Sequence, residues 1–172
     1  DRDITVRGVA AGLLPDTAAA DGDGHLSIGG VDLTDLAAEF GTPLFVYDEA
    51  HLRARCREAR TVFGDGGAIY ATKAFLCRAM ATLVHSEGLR LDVATGGELE
   101  VVLAAGVPAD RLVLHGNNKS LDELRRALSV GVGRIVVDSD DELDRIESLV
   151  AGGLPRPKVL LRINPGIEVH TH

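Results

Sequence analysis

The chain has 172 residues, of which 45% are hydrophobic and 26% are charged, and its formal net charge is −8. This composition is typical of a folded globular protein and excludes disorder over most of the chain. The negative charge would repel a nucleic-acid backbone, and aromatic residues make up only 3%, so nucleic-acid binding is not expected. No apolar segment has the length of a membrane span, and two cysteines without an export signal favour a cytoplasmic protein.

The N-terminal quarter of the chain has a weak structural pattern. Residues 1–30 are rich in Gly, Ala and Asp, which predicts loops and short strands. Residues 31–40 place Leu and Phe side chains on one face of a short predicted helix, and Gly41 ends it. A predicted strand follows at residues 44–47.

A regular alternation of strands and helices begins after this region. Short apolar runs recur about 22 residues apart, the length of one strand-plus-helix unit. The runs occupy residues 68–71, 91–94, 112–115, 135–138 and 159–163. Between them, apolar residues recur at helical spacing, which predicts four helices.

The predicted helices carry start and stop signals in their sequence. Three segments match the capping box, in which a hydroxyl and a Glu side chain satisfy backbone N–H groups reciprocally: Thr95-x-x-Glu98, Ser120-x-x-Glu123 and Ser139-x-x-Glu142. Glycines follow the helices where they should end, at positions 88, 106, 131 and 152. These start and stop signals fall between the apolar runs at the same spacing, which supports the predicted alternation of strands and helices.

Apolar strands alternating with helices predict an α/β fold with a parallel sheet covered by helices. An open doubly wound sheet would favour a G-x-G-x-x-G segment after its first strand, and the sequence has none, so we favour a (β/α)8 barrel. About five of the eight strand units fit within the chain. We therefore expect a barrel that is incomplete at residue 172.

Polar residues concentrate where the predicted strands end, which is where (β/α)8 barrels carry their active sites. The residues at these ends include Lys73, Asp92, His115, Asn117, Asn118, Lys119, Asp138, Arg162 and Asn164. This concentration of ionisable and amide groups predicts a site at the carboxyl edge of the sheet.

Lys73 is the first candidate because it follows a strand and lies between Ala71 and Ala74. Burial would favour a neutral amine, which is a nucleophile, whereas the alternative is an ordinary solvated lysine. Asp92 lies inside an apolar run and requires a partner, for which Lys73 on the neighbouring strand is available. A purely structural ion pair is the alternative for Asp92.

The other polar positions have weaker signals. Glu98 is first of all a helix-capping residue, and the loop from His115 to Lys119 has the composition of a turn. Arg162 resembles an anion clamp, with a buried pair to Asp138 or Asp92 as the alternative. His170 and His172 are too few ligands to predict a zinc site, so no metal is expected.

Several segments together resemble the fold type III pyridoxal-phosphate enzymes, which share the alanine racemase fold. Tyr70-Ala71-Thr72-Lys73-Ala74-Phe75 resembles the lysine motif of that family. Four further stretches agree with it in order and spacing, at residues 41–48, 91–98, 115–120 and 164–172. The Gly-Asn-Asn-Lys and His-Thr-His elements within them resemble the diaminopimelate decarboxylase branch.

The resemblance implies pyridoxal 5'-phosphate as the cofactor, bound covalently by Lys73, with Asp92, Glu98 and Arg162 near it. Ala71, His115, Asn117 and Asn118 are expected as further lining of the active site. The implied reaction is the decarboxylation of meso-2,6-diaminopimelate, an amino acid, to L-lysine and CO2. The implied assembly is a homodimer with active sites at its interface.

The resemblance also implies a division into two parts. Residues 1–47 would contribute to a second, β-rich domain, and residues 48–172 would form the first part of the pyridoxal-phosphate-binding (β/α)8 barrel. The family's phosphate-binding loop and its residues for the substrate carboxylates would lie beyond residue 172, so we expect an incomplete enzyme.

Other functions remain open from sequence. The nearest is another decarboxylase of the same fold, acting on ornithine, arginine or carboxynorspermidine. An amino-acid racemase would share the lysine, but it would not be expected to have the Gly-Asn-Asn-Lys and His-Thr-His elements. A non-catalytic pyridoxal-phosphate carrier and an inert half-barrel, which would expose apolar surface, are the remaining alternatives.

Overall fold

The computed structural model describes residues 11–166 of the chain. It divides into two compact units, one up to Glu58 and the other from Ala59 onward, and each is described by itself. Within the described residues, no helix combines the length and the apolar character needed to cross a membrane.

The first unit contains a small antiparallel sheet with two helices. Its elements are a 3-10 turn Ala11–Leu13, strands β1 Ala19–Ala20, β2 Leu26–Ile28 and β3 Val31–Asp32, helix α1 Leu33–Phe40, and helix α2 Glu49–Phe63, which continues into the second unit. The strand order is β1-β2-β3. The side chain of Asp32 accepts hydrogen bonds from the backbone N–H groups of Thr34 and Asp35, so the helix predicted over residues 31–40 begins at Leu33.

One prediction for this region is wrong, and one helix is missed. Residues 44–47 form no strand in the structure, and their side chains are exposed, with Phe45 at 87%. Apolar β-formers make a strand only where a partner strand is available, so local pattern misleads here. Helix α2 was not predicted, although its 15 residues are rich in Ala, Arg and Glu, which are good helix formers.

The second unit alternates strands and helices in the predicted order. Its elements are β4 Ile69–Ala71, a 3-10 turn Thr72–Ala74, α3 Arg78–Ser86, β5 Arg90–Val93, α4 Gly96–Ala104, a 3-10 turn Ala109–Arg111, β6 Leu112–Leu114, α5 Leu121–Val130, β7 Arg134–Val137, α6 Asp140–Ala151 and β8 Val159–Leu161. All five predicted strands and all four predicted helices of this region are confirmed. Only their boundaries shift, by one or two residues.

The five strands form one parallel sheet in the sequential order β4-β5-β6-β7-β8. A doubly wound sheet reverses its strand order at a switch point, whereas a barrel keeps each strand next to its successor. The predicted α/β fold with barrel-type winding is therefore confirmed. Central strands supply the core, with Leu91, Leu112, Leu114 and Ile135 fully buried. The apolar residues of β8 are at least 40% exposed.

Only helix α5 has the complete capping box that the sequence predicts. The Ser120 hydroxyl accepts from the backbone N–H of Glu123, and the Glu123 carboxylate accepts from the backbone N–H of Ser120. The helix ends at Gly131, whose φ of 75° lies in the left-handed region that favours glycine.

Helices α4 and α6 have half of the predicted capping box. The cap hydroxyl accepts from the N–H of the third helical residue, as expected. The Glu carboxylates, however, reach one residue further back: Glu98 accepts from Ala94 N at 2.6 Å and Glu142 accepts from Asp138 N at 2.9 Å. The prediction of reciprocal boxes at these two helices is wrong, because each Glu accepts from the residue before the N-cap, which directly follows the strand, and not from the N-cap itself.

Candidate active site

The turn that carries Lys73 is fixed from both sides. Strand β4 ends at Ala71, and a 3-10 turn over Thr72–Ala74 begins at once. The Thr72 hydroxyl, which is buried, donates to the carbonyl oxygen of Asp92 at 2.7 Å. The Tyr70 hydroxyl donates to the carbonyl oxygen of Phe75 at 2.9 Å. The first bond ties the turn to the neighbouring strand β5, and the second closes the turn across its own two ends.

The side chain of Lys73 is exposed and makes no hydrogen bond or ion pair with any residue from 11 to 166. Of the two alternatives that the sequence leaves open for Lys73, a buried amine and a solvated one, the structure has the exposed side chain. Ala71 and Ala74, near it in the sequence, have small side chains. An amine in this position is accessible to a molecule that enters the site.

Asp92 has a different partner from the one predicted. Its Oδ2 lies 3.3 Å from Nδ1 of His115, whose strand is adjacent. Its Oδ1 is buried and has no hydrogen-bond partner among the described residues. An ion pair between Asp92 and Lys73 is absent from the described part of the chain, so that prediction is wrong. One carboxylate oxygen thus stays available as an acceptor.

A cavity of about 250 Å³ opens at the carboxyl ends of β4, β5 and β6. Its lining consists of Ala71, Thr72, Lys73, Asp92, Ala94, Glu98, His115 and Gly116. Five of these residues were singled out from sequence, and they come from three consecutive strand ends. The structure therefore brings most of the predicted site together in one place.

Three other predicted site residues lie apart from this cavity. Asn117 and Asn118 are exposed and are not part of its lining. Arg162 donates to Oδ1 of Asp138 at 2.9 Å, with 58% of the Arg162 side chain exposed. The pairing of Arg162 with Asp138, one of the alternatives from sequence, is thus present, although it is not buried. His170 and His172 lie outside the described residues.

Sequence reasoning missed a buried ion pair behind the cavity. The Lys119 side chain is 1% exposed, and its Nζ donates to the carbonyl oxygens of Gly116 at 2.6 Å and Val136 at 2.7 Å. The same Nζ lies 2.5 Å from Oε1 of Glu142, whose side chain is 7% exposed. The sequence shows Lys119 in a polar loop, and its partners are 17 and 23 positions away in two other elements. No local pattern could have joined them.

The opposite edge of the sheet carries charges that are paired with each other. Arg111 donates to both carboxylate oxygens of Asp65, at 3.0 and 3.1 Å, and this hydrogen bonding lowers the pKa of Asp65. Arg90 donates to the carbonyl oxygens of Gly66 and Asp110. These arginines thus donate to carboxylate and carbonyl oxygens at the amino ends of the strands. The exposed amine of Lys73 and the unpaired Oδ1 of Asp92 lie instead at the carboxyl edge of the sheet, among the described residues.

The chain is similar to known decarboxylases. A diaminopimelate decarboxylase of Mycobacterium tuberculosis is 48% identical over 165 residues, which cover 95% of this chain and 37% of that protein. The crystal structure of a diaminopimelate decarboxylase from M. jannaschii in complex with L-lysine covers 90% of this chain and 37% of that one, with 30% identity and a TM-score of 0.76. A lysine/ornithine decarboxylase from Vibrio vulnificus, complexed with putrescine, covers 76% of this chain and 35% of that one, with 28% identity and a TM-score of 0.66.

This chain thus spans a little more than a third of the length of the relatives it matches. The family described as pyridoxal-dependent decarboxylases, pyridoxal binding domain, matches residues 49–172. That range holds all of the cavity lining together with the parallel sheet that positions it. By this match, the chain belongs to the pyridoxal-dependent decarboxylase family.

Proposed function

We propose that this chain carries the cofactor-attachment lysine of a pyridoxal-phosphate-dependent decarboxylase, and that Lys73 is that residue. The observation that carries the proposal is the accessible Lys73 amine, which lines a cavity together with the half-satisfied carboxylate of Asp92. A lysine amine forms a covalent bond with a carbonyl carbon once the amine has lost its proton. The open end of the sheet gives an incoming aldehyde access to that amine.

The residues of the cavity fit such a cofactor. Lys73 supplies the amine that an aldehyde requires, and Oδ1 of Asp92 is a buried acceptor that still lacks a donor. Buried acceptors are nearly always paired in native proteins, so this oxygen is expected to bind a donor on an occupant of the cavity. When bound, pyridoxal phosphate supplies an electron sink for the pair left on the substrate carbon as CO2 departs.

The side chains around the cavity have distinct tasks in this proposal. Lys73 would hold the cofactor through a covalent bond from its amine. Oδ1 of Asp92 accepts a hydrogen bond from the occupant of the cavity. His115 contacts Oδ2 and so orients the carboxylate. Glu98 holds the backbone that leaves β5 by accepting from Ala94 N. The small side chain of Ala71 leaves space for the occupant.

For the whole enzyme we propose decarboxylation of meso-2,6-diaminopimelate to L-lysine and CO2. The 48% identity to the Mycobacterium tuberculosis enzyme over 95% of this chain supports that substrate. Release of CO2 by the full-length protein, measured with diaminopimelate, ornithine, arginine and lysine in parallel, tests it. A preference for ornithine or arginine would contradict the substrate but leave the role of Lys73 intact.

Covalent trapping tests the role of Lys73 directly. The full-length protein is incubated with pyridoxal phosphate, reduced with borohydride and mapped by peptide mass spectrometry. The adduct is expected on Lys73, and Lys73→Ala should lose both the adduct and turnover. Lys158→Ala is the matched control, because Lys158 is an exposed lysine that precedes β8 at the amino end. An adduct that persists in Lys73→Ala would overturn the assignment.

We also propose a cytoplasmic homodimer in which residues 1–47 contribute to a β-rich domain and Arg162, Asn117 and Asn118 lie near the cofactor or substrate. Cys56 and Cys77 form no disulfide in the described part of the chain, as expected in a reducing compartment. The antiparallel strands β1 to β3 are consistent with a β-rich N-terminal part. Light scattering of the full-length protein tests the dimer, and a monomer that turns over at full rate would contradict an active site shared between subunits.

A further inference from the structure

We propose that Lys119 and Glu142 form a positioning pair, which holds the loop from His115 to Lys119 and thereby keeps His115 against Asp92. The inference rests on the proposed function, because it assigns Asp92 to the cofactor site. Neither member of the pair lines the cavity. Lys119 acts through the backbone of Gly116, which lines the cavity, and Glu142 acts through Lys119.

Lys119 ties two consecutive strand ends together. Its ammonium group donates to Gly116 O in its own loop and to Val136 O in strand β7, at 2.6 and 2.7 Å. Gly116 belongs to the cavity lining, and it directly follows His115. One buried side chain therefore fixes the loop that carries the partner of Asp92.

Glu142 completes this anchor from the start of helix α6. Its Oε1 lies 2.5 Å from the Lys119 ammonium, and its Oε2 accepts from Asp138 N at 2.9 Å. Asp138 also receives the hydrogen bond of Arg162. The pair is thus the centre of a network that extends from the cavity to the last described strand, with every contact made at the carboxyl edge of the sheet.

The loop itself depends on an anchor because it bends sharply. Gly116 has a φ of 148°, and a Cβ there would lie 3.3 Å from the carbonyl oxygen of Ala94. His115 N donates to Val93 O at 2.8 Å just before this bend. The loop is therefore held by a strand bond on one side and by Lys119 on the other. Without Lys119, the carbonyl of Gly116 loses its partner and is free to turn toward water.

Stability and positioning can be separated by removing both charges. Loss of one partner strands a buried charge, whereas loss of both is often nearly neutral for the fold. The double variant Lys119→Met/Glu142→Gln removes both charges and keeps an oxygen that accepts from Asp138 N. It deletes the two bonds from Lys119 to the backbone. The variant thus addresses the placement of the loop.

The experiment uses the full-length protein freed of cofactor and titrated with pyridoxal phosphate, with absorbance as the readout. Visible circular dichroism of the bound cofactor and thermal melting are recorded on the same samples. Displacement of a reacting group by about 1 Å can cost on the order of 100-fold in rate, so we expect turnover to fall at least about tenfold. Cofactor affinity and the dichroic band should fall with it. The melting temperature should stay near that of the wild type.

The matched control is Arg125→Met on helix α5, which removes one partner of an exposed ion pair with Asp122. It should leave the affinity and the dichroic band unchanged. A double variant with wild-type affinity, dichroism and turnover would overturn the proposal. A double variant that does not fold would also overturn it, because the pair would then be needed for the fold itself.

The two proposals fail in different ways. If the wild-type protein gives no borohydride-trapped adduct on Lys73, the proposed function is wrong. If the wild type traps the cofactor on Lys73 and the double variant binds it equally well, only the positioning role is wrong. Wild-type trapping together with a weakened double variant supports both proposals.

Discussion

Two lysines follow strands of the same parallel sheet, and their surroundings are opposite. Lys73, after β4, is exposed and has no hydrogen-bond or ionic partner within residues 11–166. Lys119, after β6, is 1% exposed, donates to two backbone carbonyls and contacts a buried carboxylate. Both lie at the carboxyl edge of the sheet, within the part of the chain that matches the decarboxylase family.

Under the proposed function, Lys73 takes part in the chemistry, whereas Lys119 holds the backbone of two strand ends together. The Lys119 ammonium group has three close partners and cannot leave them without stranding a buried carboxylate. The Lys73 side chain has no such partners among residues 11–166 and is accessible to a molecule that enters the cavity. Burial is therefore a poor guide to function here, because the buried lysine, Lys119, already has three partners for its ammonium group.

Exchange of each lysine for methionine should give the largest contrast in stability. Lys119→Met leaves the Glu142 carboxylate buried without its cation, so the free energy of unfolding should fall by about 3–5 kcal/mol. Lys73→Met removes an exposed side chain without described partners and should change it by less than about 0.5 kcal/mol. Urea denaturation of the full-length protein measures both. Equal losses in the two variants would mean that the contrast in burial has no energetic consequence.

The fold was largely predictable from sequence, because strand and helix periods are local signals. The five apolar runs and the helical spacing between them predicted the five strands and the four helices that alternate in the second unit, and the lack of a G-x-G-x-x-G segment favoured the barrel. The site was predictable as a set of strand-end residues, including Lys73 and Asp92. Their partners were not: His115 rather than Lys73 contacts Asp92, since pairing depends on side-chain directions that sequence spacing does not specify.

A second variant asks whether the bend at Gly116 matters as much as the lysine that holds it. At φ 148°, any side chain strains the backbone, and a Cβ would lie 3.3 Å from Ala94 O. Gly116→Ala should lower the free energy of unfolding by about 1–2 kcal/mol. Gly22→Ala is the control, because its φ lies outside the left-handed region and nothing lies within 4 Å of its added Cβ. Similar losses in the free energy of unfolding at both positions would show that the backbone conformation at Gly116 does not require glycine.

A third, smaller effect concerns the carboxylate that links the two site loops. Glu123 accepts from Ser120 N at 2.9 Å, beside the Lys119 loop, and from Gly96 N at 2.8 Å, beside the loop after Asp92. These bonds, with Ser120 first, lower the pKa of Glu123. A lowered folded pKa means that the stabilisation is complete above the ordinary value of 4.5 and is lost as the pH falls through the folded value.

Glu123→Gln should therefore lower the free energy of unfolding by about 1 kcal/mol at neutral pH, as for the loss of a helix cap. The difference from the wild type should shrink below pH 4.5. Denaturation at a series of pH values measures it, with Glu147→Gln at an exposed position of α6 as the control. A difference that stays constant down to acidic pH would show that the charge of Glu123 is not what links the loops.

Arg162 should show the smallest effect on stability. Its bond to Asp138 is 2.9 Å long, but 58% of the Arg162 side chain is exposed, and exposed ion pairs contribute less than about 1 kcal/mol. Arg162→Met should therefore change the free energy of unfolding by less than that amount, and added salt should shrink the change further. Titration of the cofactor-free full-length protein with pyridoxal phosphate then separates the two roles of this residue. If the affinity falls in Arg162→Met and returns to the wild-type value in Arg162→Lys, a cation at this position lies near the cofactor. An unchanged affinity in both variants would leave Arg162 as a surface partner of Asp138 alone.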